Sequence, residues 1–460
     1  MGTIQSIDPA TGIELLSFEE DSDDIVDNKL EAAKAALPLL SAADWGGRAV
    51  WMRSAAALLE SEIEDVALLI TKEMGKPIAQ SRAEVLKSAN AMRFYADHAE
   101  EFLAGRELES PEVVNATAAG TRYEPLGVVL AVMPWNYPIW QVVRFAAPAL
   151  MAGNAGVLKH ASNVPQSAIY IGELFTRAGF PEGSFATLLI GSYRVAAVIR
   201  DKRIAAVTLT GSEEAGRSVA ATAGDVLKKA VLELGGSDPF IVMPTADIDA
   251  AVDTAVKARI SNNGQACINA KRFIVHEDIF DEFTGKFTER MSSLIVGDPS
   301  DPATEVGPLA TESGRRDVTD LVEDARGKGA EIITGSSPSG PDGGWYFPPT
   351  VVTGLTPEMR LWEEEAFGPV ASVYCAANLD EALRLANALE FGLGSAFWSN
   401  DEVEIDRAVR DIEAGAVFVN GMTISYAELP FGGIKRSGYG RELSMEGIRE
   451  FCNLKTVWKA

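Results

Sequence analysis

The sequence contains few cysteines and few histidines. Its three cysteines are too few for a disulfide framework: Cys267, Cys375 and Cys452. Its three histidines lie far apart and lack the spacing of metal ligands: His98, His160 and His276. We therefore predict no disulfide scaffold and no metal site. Zinc-dependent hydrolysis and Ser/His/Asp catalysis are both disfavoured.

Basic residues are also scarce, because 41 Lys and Arg stand against 66 Asp and Glu, a formal net charge of −25 over 460 residues. This balance disfavours binding to nucleic acid or to an anionic membrane surface. The first twenty residues lack the basic and apolar regions of a signal peptide. No apolar run reaches the roughly 18 residues that a membrane helix needs. A protein of the cytoplasm is expected.

The chain shows two stretches in which apolar runs alternate with helical segments, after an N-terminal helical region. Residues 24–105 have the three- and four-residue spacing of helices, with Gly75 ending one helix and Pro77 opening the next. From about residue 127 the alternation begins, and a second block follows residue 235. Alternation of this kind predicts an α/β fold with two parallel sheets. The segment 336–349 is rich in turn-formers and is predicted to be a surface loop.

The glycine pattern of a common dinucleotide site, G-x-G-x-x-G, is absent after the early strands. Another anion site is available at Gly211-Ser212, which lies between a predicted strand and a predicted helix. Backbone N–H groups at such a helix start suit a pyrophosphate. Alone, this pattern fits an ordinary turn better, with Ser212 as the helix N-cap.

Three further residues suit catalysis, and each has a plainer interpretation. Cys267 lies in a turn-prone loop before a strand, although a lone cysteine is more often a small buried hydrophobe. Glu233 precedes Gly-Gly, where burial would raise its pKa towards that of a general base, or it is merely solvated. The amide of Asn136, at the end of a buried strand, donates either to an oxyanion or to a helix cap.

Seven motifs together resemble one family. They are MPWNYP, VLKHAS, LTGSEEAG, LELGG, NNGQAC, EEEAFGPV and LPFGGIKRSGYGRE. In this order and spacing they resemble the aldehyde dehydrogenase superfamily over essentially the whole chain. More closely, NNGQACINAKRF and KRSGYGRELS are similar to its succinate-semialdehyde dehydrogenase branch.

The resemblance implies a catalytic set of Cys267, Asn136, Glu233 and Lys159. Cys267 would attack the aldehyde carbon as a thiolate, and Asn136 with the Cys267 backbone N–H would hold the oxyanion. Hydride transfer would leave a thioester, and Glu233 would activate water to release a carboxylic acid. Branches that pass the acyl group to coenzyme A usually lack this glutamate, so its presence favours hydrolysis.

The resemblance also implies a nicotinamide dinucleotide cofactor. It assigns the following residues to the cofactor site: Trp135, Lys159, Ser162, Gly191, Gly211, Ser212, Glu365 and Phe367. NAD-preferring members usually carry a Glu at the position of Ser162, and a carboxylate there repels a 2′-phosphate. We therefore expect NADP to be preferred, with NAD as the alternative.

For the substrate, the resemblance places Arg144 against the distal carboxylate of succinate semialdehyde, with Trp140 four residues earlier on the same helix face. The alternative is a salt-bridged Arg144 on the helix exterior. Ser261 stands where some members carry a second arginine, six residues before the nucleophile, and Arg259 is two positions away. The loop before LPFGG carries Tyr426 and Glu428, and a glutamate near the mouth of the site would repel a dicarboxylate-like substrate. These departures leave glutarate semialdehyde, an aromatic aldehyde or glutamate 5-semialdehyde as alternatives, besides a non-catalytic structural protein.

Two further expectations follow. The positions after the nucleophile, Ile268, Asn269 and Ala270, hold no second cysteine, so no local disulfide switch is predicted.

The expected fold is aldehyde-dehydrogenase-like, with two Rossmann-like α/β lobes and a small β oligomerisation arm. We assign 1–109 and 126–234 to the cofactor-binding lobe, 235–440 to the catalytic lobe, and 110–125 with 441–460 to the arm and tail. That arm predicts a homodimer or homotetramer, and a surface hairpin with a frayed tail is the alternative.

Overall fold

The computed structural model describes residues 2–334 and 343–460. The first half of the predicted surface loop at 336–349, residues 336–342, therefore lies outside the described residues, and 343–349 form no helix or strand. Within the described ranges, we find no helix that combines the length and the apolar character needed to cross a bilayer.

The strands and helices of the described residues alternate along much of the chain. The strands are β1 Thr3–Asp8, β2 Ile13–Glu19, β3 Ala118–Pro125, β4 Val128–Met133, β5 Ala155–His160, β6 Phe185–Thr187, β7 Ile204–Thr210, β8 Lys229–Glu233, β9 Asp238–Val242, β10 Ala270–His276, β11 Glu331–Thr334, β12 Thr350–Thr353, β13 Val370–Ala376, β14 Phe391–Gly392, β15 Ala396–Trp398, β16 Phe418–Val419, β17 Ile434–Lys435, β18 Gly438–Tyr439 and β19 Cys452–Lys459. The helices are α1 Asp23–Ala42, α2 Trp45–Ser61, α3 Ile63–Met74, α4 Ile78–Phe102, α5 Trp140–Met151, α6 Pro165–Arg177, α7 Val195–Arg200, α8 Glu213–Asp225, α9 Ile248–Ile260, α10 Phe280–Ser292, α11 Glu312–Gly327, α12 Arg360–Glu363, α13 Leu379–Ala386, α14 Glu402–Asp411 and α15 Ser444–Glu450.

The first lobe is built on a six-stranded sheet with the order β18-β8-β7-β4-β5-β6. Its five strands β4 to β8 run parallel to one another, and the two-residue strand β18 pairs antiparallel with β8. The apolar run of β4 is almost wholly buried, as expected of a central strand covered on both faces. The predicted alternation of strands and helices is confirmed here.

The second lobe has a seven-stranded sheet with the order β11-β12-β13-β10-β9-β15-β16, parallel except for β11. Successive side chains of β9 point to opposite faces. Phe240 packs with α9 and α10, whereas Ile241 packs with α13 and α14. A sheet covered by helices on both faces confirms the predicted α/β class.

The N-terminal region departs from the sequence-based expectation in two places. Residues 3–19 form a hairpin, β1–β2, which the sequence analysis missed because β2 is largely exposed and lacks an apolar face. The long second helix is divided at Glu62 into α2 and α3. The predicted helix end at Gly75 and the predicted helix start after Pro77 are confirmed.

Strands β3 and β19 pair antiparallel along their whole length, from Pro125 with Cys452 to Ala118 with Lys459. The predicted meeting of these two segments is therefore present. The rest of the C-terminal region lies elsewhere, because β18 joins the first sheet and α15 packs on α4 and α5. Residues 438–450, which were predicted to be divided between the catalytic lobe and the arm, thus pack with the first lobe.

Gly75 has a left-handed backbone, with φ of 75°, and a Cβ there would lie 2.7 Å from Pro308 Cγ and 2.9 Å from Pro308 O. We expect Gly75→Ala to lower the free energy of unfolding by about 1–3 kcal/mol, because it adds both backbone strain and a clash. Denaturant unfolding measures this change. Gly285→Ala within α10 is the matched control, since its Cβ would meet no atom within 4 Å. It should stabilise by about 0.5–1 kcal/mol. Equal effects of the two substitutions would contradict this interpretation.

Candidate active site

Two cavities meet at Cys267. The first has a volume of about 300 Å³ and is lined by residues that include Trp135, Gly211 and Glu365. The second has a volume of about 240 Å³ and is lined by residues that include Trp140 and Arg144. Cys267 lines both cavities. A partly buried thiol between two clefts can react with a molecule in one while another molecule occupies the other.

The loop that carries Cys267 has an unusual backbone. It follows α9 through a short turn in which Asn262 and Asn263 have φ of 56° and 57°. Asparagine tolerates this left-handed region better than most residues, because its short polar side chain can bond to nearby backbone. The Asn263 amide donates to Gly75 O at 2.8 Å and to Pro308 O at 2.9 Å. The loop is thereby fixed to the end of α3.

Asn262 ties this loop to the loop that carries Asn136. Its Nδ2 donates to Asn136 O at 2.7 Å and to Gln265 O at 3.0 Å. The Nδ2 of Asn136 also donates to Gln265 O, at 3.0 Å, which leaves its second N–H for another acceptor. The backbone N–H of Cys267 donates to no acceptor in the described part of the chain. The predicted pair of oxyanion donors is therefore free to bind a developing negative charge.

The charge environment of Cys267 is set by Lys271. Its Nζ donates to Ala266 O at 3.0 Å and to Cys267 O at 2.8 Å, and it forms an ion pair with Glu365 at 2.8 Å. Burial raises the pKa of the Cys267 thiol to about 12, although Arg144 and Lys271 oppose the shift. The thiol of the free protein is therefore protonated at neutral pH and needs a base or a further positive charge to react.

The first cavity fits the nicotinamide end of a dinucleotide. Five of the predicted cofactor residues line it: Trp135, Gly211, Ser212, Glu365 and Phe367. The rings of Trp135 and Phe367 meet edge to face, with centroids 5.7 Å apart. Ser212 is the N-cap of α8, because its Oγ accepts from Ala215 N at 3.3 Å. The turn and the helix start thus offer backbone N–H groups and the positive end of a helix dipole to a phosphate.

Three predicted cofactor residues lie outside both cavities. Lys159 is at the end of β5, the exposed Ser162 follows it, and Gly191 comes just after β6. Ligands of parallel sheets bind at these carboxyl ends, so the positions suit the adenosine half of a dinucleotide. The structure does not bring Lys159 to Cys267. Of the two predicted roles of Lys159, catalytic and cofactor-binding, only the second fits this position.

The sequence analysis missed the neighbours of Lys159. Its ammonium is partly balanced by Glu20, while burial lowers the pKa of the lysine. The Tyr193 hydroxyl donates to Glu20 Oε2 at 2.6 Å. A Cβ at Gly191 would lie 2.4 Å from Tyr193 Cε1 and 2.8 Å from Glu20 Oε1, so a side chain there would displace these two groups. Glu20 lies in the segment after β2, too far along the chain for any local pattern to connect it with β5.

Glu233 departs most from its predicted position. It ends β8 and is buried, yet its side chain lines neither cavity. A Cβ at Gly432 would lie 2.8 Å from its Oε1, and both carboxylate oxygens lack a hydrogen-bond partner among the described residues. Burial raises the pKa of Glu233 well above its ordinary value, and Glu442 adds to the shift. A protonated carboxyl in this pocket is not in position to act on Cys267 without turning.

Arg144 lines the second cavity, and its guanidinium already binds other side chains of the protein. It forms an ion pair with Glu442, both side chains being buried, and it donates to Thr210 Oγ1 at 3.1 Å. The alternative of an exterior Arg144 is therefore wrong. Its positive charge is nevertheless balanced before any substrate arrives. This contact could not be predicted from the sequence, because Glu442, in the segment GRELS, lies far along the chain from α5 and no local pattern connects the two.

The departures noted in the sequence take definite positions. Ser261 lines the second cavity and lies 3.4 Å from the Tyr137 hydroxyl. Tyr426 and Glu428 are exposed and do not line the cavity, and repulsion of an anionic substrate by Glu428 stays a prediction. Arg259 is buried and donates to backbone carbonyls, including Gly264 O at 2.6 Å.

A buried ion pair that sequence reasoning missed supports the start of α5. Lys76 and Glu84 are fully buried and paired with each other. The other oxygen of Glu84 accepts from the backbone N–H groups of Ile139 at 2.9 Å and Trp140 at 3.0 Å. Lys76 Nζ lies 3.7 Å from the centre of the Tyr137 ring. In the sequence both residues look like charges on the solvated side of a helix, so no signal pointed to them.

The chain is similar to known proteins in both sequence and fold. The model of the aldehyde dehydrogenase family matches residues 1–457. A succinate-semialdehyde dehydrogenase of Mycobacterium ulcerans, designated NADP(+) 1, is 58% identical over 457 residues, with 99% of both chains covered. A protein of the same designation from Mycobacterium tuberculosis is 57% identical over 457 residues, which are 99% of this chain and 100% of that one.

Solved structures give the same result. The succinic semialdehyde dehydrogenase of Streptococcus pyogenes, determined in complex with NADP+, superimposes with a TM-score of 0.95 at 37% identity and covers 99% of both chains. The succinate-semialdehyde dehydrogenase of Burkholderia pseudomallei gives a TM-score of 0.95 at 35% identity, covering 99% of this chain and 94% of that one.

Proposed function

The chain belongs to the aldehyde dehydrogenase family, and we propose that it oxidises succinate semialdehyde to succinate with NADP as the hydride acceptor. The observation that carries the proposal is the position of Cys267 between two cavities. One cavity suits a dinucleotide, and the other has room for a small aldehyde. The NADP(+)-dependent relatives and the NADP+ complex of a structural neighbour support the choice of cofactor and substrate.

In the first half of the reaction, the Cys267 thiol releases its proton to water and the sulfur bonds to the aldehyde carbon. The oxygen becomes an oxyanion, which the Asn136 amide and the Cys267 backbone N–H hold as hydrogen-bond donors. Five residues would hold the nicotinamide end of NADP: Trp135, Gly211, Ser212, Glu365 and Phe367. The bound cofactor would supply an acceptor for the hydride that leaves this carbon and a positive charge that favours the thiolate over the thiol. The carbonyl re-forms as the hydride departs, and a thioester remains on Cys267.

In the second half, water attacks the thioester and the C–S bond breaks, which releases the carboxylic acid and restores the thiol. Glu233 takes the proton from this water in our proposal. Its carboxyl lies beside Gly432 in the structure, so it must turn towards Cys267 and lose its proton first. Burial raises the pKa of Glu233, so its carboxylate is a stronger base once the proton is lost.

The cofactor preference rests on Ser162 and Lys159. The serine side chain is exposed at the carboxyl end of β5, where it donates a hydrogen bond without repelling a 2′-phosphate. Lys159 supplies a positive charge there. The nearby Glu20 is engaged by the Tyr193 hydroxyl, which reduces its effect on an incoming phosphate.

The proposal includes a homo-oligomer, a dimer or a tetramer, assembled through the arm formed by β3 and β19. Outward-facing apolar side chains on β19 support this assembly, since Leu454 is 54% and Trp458 is 51% exposed in the single chain. We also propose a location in the cytoplasm, where the reducing environment keeps Cys267 in the free thiol form that the reaction needs.

Initial rates with a panel of aldehydes and both cofactors test the proposed function. We expect kcat/KM to be highest for succinate semialdehyde with NADP, and NADPH formation to equal acid formation. The panel includes glutarate semialdehyde, glutamate 5-semialdehyde and an aromatic aldehyde. If one of these had a higher kcat/KM with NADP, that aldehyde would be the preferred substrate in place of succinate semialdehyde. Cys267→Ala should abolish turnover, and an unchanged rate in that variant would refute the mechanism.

The cofactor assignment predicts the effect of Ser162→Glu. A carboxylate at this position repels the 2′-phosphate and binds ribose hydroxyls, so the ratio of kcat/KM for NADP to that for NAD should fall about 100-fold or more. Ser162→Gln serves as the control, because it has similar size without the charge and should change the ratio less. An unchanged kcat/KM for NADP in the glutamate variant would show that Ser162 does not face the phosphate.

The electrostatic link between Glu442 and Glu233 predicts a shift in pH dependence. Glu442 raises the pKa of Glu233 and Arg144 lowers it. Glu442→Gln removes the first effect and frees Arg144, so both changes lower this pKa. The acidic limb of the kcat profile should move to lower pH by about one unit. Glu446→Gln, on an exposed position of α15, should leave the profile in place. Movement to higher pH in the first variant would contradict the assignment of Glu233 as the base.

A further inference from the structure

Lys87 faces the second cavity from α4. Its Nζ donates to Ser425 Oγ at 2.8 Å and lies 4.3 Å from the centre of the Trp140 ring. Lys87, Ser425, Trp140 and Cys267 all line this cavity. The ammonium therefore lies in the same space as the reactive sulfur.

The charges around this cavity are unevenly compensated. Arg144 is paired with Glu442, and Lys76 is paired with Glu84. Within residues 2–334 and 343–460, Lys87 has no carboxylate at ion-pairing distance, and its hydrogen-bond acceptor is the neutral hydroxyl of Ser425. A partly buried cation without a counter-charge is unfavourable, and an anion entering the cavity would relieve it.

We propose that Lys87 binds the distal carboxylate of the substrate and is the main determinant of selectivity for ω-carboxylated aldehydes. This inference rests on the proposed function and changes the predicted assignment, in which Arg144 had this role. Ser425 holds the ammonium in place through its hydroxyl, and the face of Trp140 covers it. The ammonium attracts the carboxylate of an ω-carboxylated aldehyde. An aldehyde without a carboxylate leaves the buried ammonium unpaired and is therefore disfavoured.

The protonation of Lys87 supports this assignment. Burial, together with the charges of Arg144 and Lys76, lowers the pKa of Lys87 to about 8, whereas Glu84 and Cys267 act in the opposite direction. The free enzyme therefore loses the ammonium as the pH rises through about 8. A bound carboxylate favours the charged form and raises the pKa again.

The first experiment compares Lys87→Met with the wild type on succinate semialdehyde and on butanal, which has the same number of carbons and no carboxylate. We expect kcat/KM for succinate semialdehyde to fall about 10- to 100-fold, mainly through KM, as for the loss of a hydrogen bond to a charged group. That for butanal should change less than about threefold. Lys202→Met, at an exposed position before β7, is the matched control and should alter neither substrate.

Equal losses with both substrates would overturn the inference. So would an unchanged KM for succinate semialdehyde in Lys87→Met. Thermal unfolding and the dissociation constant for NADP are measured in the same samples, because a misfolded variant would lower both. Lys87→Arg keeps the charge and should retain at least about one third of the wild-type selectivity between the two aldehydes, which a purely structural role of Lys87 would not require.

The second experiment follows the ratio of kcat/KM for succinate semialdehyde to that for butanal against pH. Titration of Cys267 and Glu233 acts on both substrates and cancels in the ratio. In the wild type the ratio should fall about tenfold per pH unit above pH 8, since the ammonium is lost. In Lys87→Arg it should stay constant to pH 10, because arginine remains charged. A constant ratio in the wild type would overturn the inference.

These outcomes separate the inference from the proposed function. If the wild type oxidises succinate semialdehyde but Lys87→Met affects both aldehydes equally, the inference fails and the proposed function stands. If the wild type prefers another ω-carboxylated aldehyde and the variant loses that preference, the inference stands and the proposed substrate is replaced. If the wild type prefers uncharged aldehydes, both fail.

Discussion

The amide of Asn262 holds together the two halves of the catalytic centre. It donates to the carbonyls of Asn136 and Gln265, and so joins the loop of the first lobe to the loop that carries Cys267. The thiol and the side-chain oxyanion donor come from different lobes, and reaction geometry tolerates errors of only about 0.5 Å. Asn262, whose backbone is left-handed just after α9, meets this requirement because its side-chain amide donates a hydrogen bond to each of the two loops. The cavities, the oxyanion donors and the position of the sulfur all depend on that bridge.

Charge compensation divides the buried ionic groups of the site into two kinds. Three cations are already balanced by carboxylates: Lys76 by Glu84, Arg144 by Glu442, and Lys271 by Glu365. These pairs hold backbone and loops in position. Glu233 and Lys87 have no such partner among the described residues. We assign these two unpaired groups to the incoming molecules. Glu233 acts on the water, and Lys87 pairs with the carboxylate of the substrate.

Much of the fold could be predicted from local patterns. The apolar run that became β4 and the Gly75 helix end depend on residues close in sequence, so periodicity and turn chemistry were sufficient. The roles of Cys267 and Asn136 came instead from the resemblance to a family, because each residue alone also had a plainer interpretation. The direction of Glu233 and the charge environment of Arg144 could not be predicted, because Gly432 and Glu442 approach them from distant parts of the chain. Lys87 meets Ser425 across 338 residues, and no pattern in either segment indicates that contact.

The last part of the chain completes structures that begin much earlier. Strand β18 covers the edge of β8, β19 covers β3, and Glu442 neutralises Arg144. During synthesis, the ribosome releases the first lobe long before these segments exist. The nascent protein therefore carries open sheet edges and an unbalanced internal cation until residues 438–459 emerge. A chain cut before residue 438 would retain Cys267 but would leave β3 and β8 without these partner strands and Arg144 without its carboxylate.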